Sequence, residues 1–108
     1  MNKSQLQQGD VLLLPVKSFP KDSKQIKDQR GVVLAEGEIT GHYHGIEDEG
    51  VALMEAPSGA RFIVNSGKKA ATLRHQEHKP ISVPPGIFQI GIVREKDWFQ
   101  DMVRNVVD

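Results

Sequence analysis

Four histidines carry the strongest chemical signal in this chain, and they fall into two tight pairs, His42-Tyr43-His44 and His75-Gln76-Glu77-His78. The first pair has strand spacing. Residues i and i+2 of a strand share a face, roughly 7 Å apart along the chain. Both imidazoles can therefore approach one ion, with Tyr43 turned to the other side and Gly41 and Gly45 leaving room around them. Imidazole is a ligand for zinc, iron, copper and nickel. The second pair is three apart, so a continuous strand would send His75 and His78 to opposite faces. A turn at Gln76-Glu77, just before Pro80, would instead bring one or two of His75, Glu77 and His78 to the same site, but not all three. Three or four ligands make a metal site, with an open position if it does chemistry. The candidate set is His42, His44, His75 and His78, with Glu77 and Glu49 as secondary carboxylates.

Other chemistries are poorly served. The chain has no cysteine, which removes a disulfide framework, a thiol nucleophile and thiolate zinc sites. No serine sits in a nucleophile elbow, and Gly37-x-x-x-Gly41 and Gly86-x-x-x-x-Gly91 lack the lysine or helix of a nucleotide fingerprint. The 14 basic residues are matched by 14 acidic ones, and aromatic residues are 6% of the chain, so nucleic-acid binding by charge or by stacking is not expected. Without metal, clustered histidines offer a proton-sensing patch or an acid–base pair.

The elements that must position the histidines are strands. Ten glycines and six prolines fall at short intervals, with Val- and Ile-rich runs between them. The pattern predicts nine short strands: Asp10–Val16, Gly31–Ala35, Glu38–Ile46, Val51–Glu55, Ala60–Asn65, Lys69–His75, Ile81–Val83, Ile87–Arg94 and Met102–Val107. The last segment also reads as a helix over 96–106, because Phe99, Met102, Val103 and Val106 fit a helical stripe. Residues 17–30 read as one long loop. It carries five basic residues against two acidic ones. Glu47-Asp48-Glu49 reads as an acidic turn. With 108 residues the chain is expected to form a single domain, an all-β barrel or sandwich.

These motifs resemble the cupin family. Its first motif runs glycine, spacer, His-x-His, spacer, glutamate, and Gly37, His42, His44 and Glu49 stand in that order, with the glycine one residue closer than usual. Pro84-Pro85-Gly86 matches the turn of the second motif, but Gln89 stands where its metal histidine would be, and His75 and His78 have no counterpart. The chain also resembles small bacterial and phage-associated proteins that share Gly-Glu-x-Thr-Gly-His-x-His, then His-x-x-His-x-Pro-Ile-x-x-Pro-Pro-Gly, then Arg-Glu. Here these are Gly37 to His44, His75 to Gly86, and Arg94-Glu95. The first resemblance implies a cupin-like barrel with a metal centre. The second implies a shared histidine-rich site and no particular reaction.

The leading expectation is a divalent-metal-binding cupin-like protein holding zinc, nickel, iron or manganese, with its status as an enzyme left open. A metal-free pocket for a sugar or small acid is a further option. The alternative is a non-enzymatic, phage-associated assembly module with histidines at a subunit interface. A small-molecule ligand and a homo-oligomer, in the simplest case a homodimer, are compatible with both. No apolar run is long enough for a leader or membrane span, so a cytoplasmic chain without membrane contact is expected.

Overall fold

A computed structural model describes residues 5–36 and 41–92. The described chain is all-β, with ten strands in two antiparallel sheets. In chain order they are β1 (Leu6–Gln8), β2 (Val11–Val16), β3 (Lys24–Ile26), β4 (Val32–Glu36), β5 (Tyr43–Ile46), β6 (Val51–Glu55), β7 (Arg61–Asn65), β8 (Ala71–Arg74), β9 (Ile81–Val83) and β10 (Gly86–Ile92). The larger sheet has the order β1-β2-β10-β7-β6-β3 and the smaller one β4-β5-β8-β9. The sheets do not close into a barrel. They form a sandwich, as the alternation of apolar and polar residues along most strands allows.

Both inner faces supply the core. Val11, Leu13, Leu53, Ile63 and Phe88 come from the large sheet, and Leu34, Ile46, Ala71, Leu73 and Val83 from the small one. In β10, Phe88 is fully buried and Ile90 packs against the core, while Ile92 is 44% exposed at the strand end. Gln89 pairs across to Leu14 and Phe62 on the outer face of the large sheet, which makes it an ordinary cross-strand polar residue.

Two strands escape the sequence pattern. β1 has a single apolar residue, and what marks it is the Gly9-Asp10 hairpin turn that follows, with Gly9 at φ 58°. β3 breaks up the expected loop at 17–30. Its residues Lys24, Gln25 and Ile26 are all exposed, so no buried face imprints a pattern on them, and they are held by pairing with β6. The basic side of this segment is partly neutralised. Arg30 bonds to both Asp28 and Glu36 and lies over the Tyr43 ring at 4.6 Å. Its guanidinium lowers the Asp28 carboxyl from 3.8 to about 2.

Two buried amides tie the sheets together. Asn65 of β7 donates to the carbonyls of Lys69 and Val83, and its own oxygen accepts the Gly67 N–H. Gln8 of β1 does the same at the histidine end, as described below. A register shift in the β4–β5 pairing lies between Val33 and Ala35, and the carbonyl of the intervening Leu34 accepts a bond from Arg61 of β7. The predicted strand start at 38–40, Arg94-Glu95 and the ambiguous segment 96–107 lie outside the described residues.

Candidate functional site

The histidines meet at one end of the sandwich. Alternation along β5 turns His44 inward in the same row as the core residue Ile46, and His44 is 2% exposed. Tyr43 and Gly45 face outward, and Tyr43 folds so closely over Gly45 that a Cβ there would lie 2.7 Å from its ring. His42 precedes β5 by one residue.

The second pair arrives from the turn between β8 and β9. The Gln76 side chain caps the end of β5 by accepting the Tyr43 N–H at 2.8 Å, which draws the turn alongside. His75 then becomes the centre of the group. Its ring centroid lies 4.4 Å from that of His44, 4.6 Å from His78 and 5.7 Å from His42. His44 and His78 are nearly parallel, with centroids 5.9 Å apart. Glu77 meets His42, with Oε1 3.1 Å from Nδ1. The turn therefore brings His75, Glu77 and His78 all beside the cluster. Six residues separate β8 from β9, enough chain to set three side chains along this end of the sandwich.

Glu49 goes elsewhere. It follows β5 at the end remote from His42 and lines an open cleft of about 510 Å³ with Asp48, Lys68 and Lys69. Asp48 in the same turn accepts the Thr72 N–H.

Two residues that sequence reasoning missed complete the site. Gln8 is 3% exposed, and its amide nitrogen donates to the carbonyls of Leu73 at 2.8 Å and Lys79 at 2.9 Å. Its oxygen is thereby an acceptor, and it faces His44 Nδ1 at 2.8 Å. The Gln8 amide thus selects the His44 tautomer with the proton on Nδ1. Asp10 follows in the hairpin turn, with Oδ1 3.3 Å from His44 Nε2. The only local hint of either residue was the Gly9-Asp10 turn.

Tautomers divide three of the four rings. His75 Nδ1 accepts the N–H groups of Glu77 at 3.0 Å and His78 at 3.3 Å. The neutral His75 proton is then on Nε2, which makes this ring the least suited to ligation. His42 and His44 have Nδ1 against oxygen acceptors, which leaves each Nε2 as the free lone pair. Histidine ligands in metal centres commonly have this outer support. In the observed rotamers, no group of three or more His, Asp or Glu side chains among the described residues is arranged to hold an ion.

Burial pushes the His44 imidazole below its ordinary 6.5, helped by the neighbouring His75 and His78 and opposed by Asp10. Burial likewise lowers His75, helped by His78 and His42 and opposed by Glu77 and Asp10. The sign for stability follows. Just below 6.5 the unfolded chain binds more protons than the fold, so stability is complete above that value and declines as pH falls through the folded values. Urea midpoints of metal-free protein should be lower at about pH 5.5 than at about pH 7.5. An equal or higher midpoint at the acid value would contradict this account.

Gly9 is required twice over. Its φ of 58° suits glycine, and a Cβ there would lie 2.6 Å from His78 Nε2. Gly9→Ala should cost about 1–2 kcal/mol from the backbone alone and displace His78. A shift of the His78 ring resonances in an NMR spectrum, together with a lower urea midpoint, would register both effects.

The family model described as Domain of unknown function (DUF8820) matches residues 7–93, a span that includes Gln8, Asp10 and all four histidines. The chain belongs to that family. No curated protein and no solved structure matches it. Among the described residues, no helix is long and apolar enough to cross a membrane.

Proposed function

We propose that this member of the DUF8820 family binds one divalent transition-metal ion at the histidine end of the sandwich. The observation behind the reading is the gathering of four imidazoles from β5 and the β8–β9 turn, two of them with Nδ1 held against an oxygen acceptor. His42, His44 and His78 are the nitrogen ligands. His75 packs among them, and Glu77 and Gln8 orient His42 and His44. Closing on an ion requires rotations of the exposed rings, which are inexpensive because histidine χ2 is broad, while His44 is held by Gln8. Nitrogen-rich sets favour zinc, nickel, iron or cobalt over magnesium or calcium.

A groove of about 220 Å³ opens beside His75, between Tyr43, Arg74 and Pro80. That is below the about 300 Å³ of usual small-molecule sites, so any exogenous ligand would be small. The test is metal analysis after incubation with zinc, nickel, iron or manganese and removal of free ion. About one ion per chain is expected for at least one metal. No uptake of any of the four would end the proposal.

A further inference from the structure

We propose that Asp10, in the β1–β2 hairpin turn, is a direct ligand of the metal and that the centre is tetrahedral. This rests on the metal-binding reading above and extends it to a residue of the opposite sheet.

The argument begins with Gln8. Its amide nitrogen is committed to two backbone carbonyls, so its oxygen must accept, and His44 must donate from Nδ1. In the neutral ring, Nε2 then presents a lone pair. What it faces is another acceptor, the Asp10 carboxylate, at 3.3 Å. Two acceptors at that distance repel unless a proton or a metal cation lies between them. A metal ion is such a cation. Nitrogen and oxygen ligands at about 2.0–2.2 Å, subtending a tetrahedral angle, stand about 3.4 Å apart. Octahedral magnesium, with bonds of about 2.0–2.1 Å, would need an edge of about 2.9 Å. The observed separation fits the tetrahedral edge.

A second donor, from the β8–β9 turn, lies against the same hairpin. His78 Nε2 lies against Gly9, next to Asp10, and its ring is nearly parallel to that of His44. His44, His78 and Asp10 thus meet at one turn. The remaining position falls to His42. Bound metal would therefore join β1–β2 of the large sheet to β5 and the β8–β9 turn of the small one.

The test is competitive titration of zinc, with the visible spectrum of bound cobalt as a report of coordination number. The proteins are the parent chain, Asp10→Asn, Asp10→Ser and His42→Ala with His44→Ala. Asp10 is 58% exposed, so both of its variants should melt, metal-free, close to the parent. We expect each to bind zinc at least about 100-fold more weakly, at or beyond the upper end of the effect of removing an outer-shell partner. The cobalt spectrum should also lose its four-coordinate intensity or shift. Zinc affinity within about threefold of the parent, with an unchanged cobalt spectrum, would mean a plain His44–Asp10 ion pair and overturn the inference while the metal reading stands. A parent chain that binds neither ion would overturn both.

Discussion

With His42 and His44 both replaced by alanine, the protein should take up no divalent ion, and its melting temperature should no longer respond to metal. The parent should behave differently. An ion present at 100 times its dissociation constant stabilises the fold by about 2.7 kcal/mol. For a domain of this size that is on the order of 10 °C in melting temperature. The large effect follows from placement. These two imidazoles enter from β5 and the residue before it, and each has Nδ1 set against an oxygen, of Glu77 for His42 and Gln8 for His44. No other pair in the cluster combines common backbone support with two free Nε2 lone pairs. His44 is buried, so its loss also disturbs packing. His42 is the control for that, because its side chain keeps 24% exposure and His42→Ala should lower the metal-free melt less than the loss of His44 does. If that single variant kept full affinity, His42 would have to be removed from the ligand set. Metal-dependent melting in the double variant would move the site away from β5 altogether.

The second large effect is on stability. Gln8→Ala should cost about 3 kcal/mol, read from urea midpoints. One side chain makes three hydrogen bonds, to Leu73, Lys79 and His44, and two of the three are inside the protein. Removing it leaves the His44 N–H and the Leu73 carbonyl each short of a partner, at about 1–3 kcal/mol per group. The isosteric Gln8→Glu should be no remedy at neutral pH, because a carboxylate would face two carbonyl oxygens where the amide donated. A loss below about 1 kcal/mol for Gln8→Ala would show that water replaces the amide and that the sheets are joined by apolar packing alone. Either result bears on the proposed metal centre, since Gln8 sets the tautomer of His44.

How much of this was legible beforehand depends on the kind of signal. Val51–Glu55 and Ile81–Val83 have the predicted bounds, and several other strands shift by only a residue or two at an end. Their inner residues are apolar and alternate, so burial wrote the pattern into the sequence. β3 has no buried residue and wrote nothing. The barrel implied by the cupin resemblance gives way to an open sandwich, because closure depends on which edges meet, and no local pattern encodes that.

The site divides in the same way. Period-two geometry is a property of the backbone, so the alternation in β5 set His44 inward with Ile46, whereas His42 stands one residue before the strand. The absence of cysteine likewise turned attention to nitrogen and oxygen donors. Tertiary structure alone decided their company. Gln8 and His44 are 36 residues apart, and they touch because β1 lies at the edge of one sheet while β5 lies inside the other. The same packing sets Asp10 and Gly9 against His44 and His78 and sends Glu49 to the far end of β5. Spacing can fix the direction of side chains within one element. Which elements face each other is decided by the shared core, and that is a property of the whole chain.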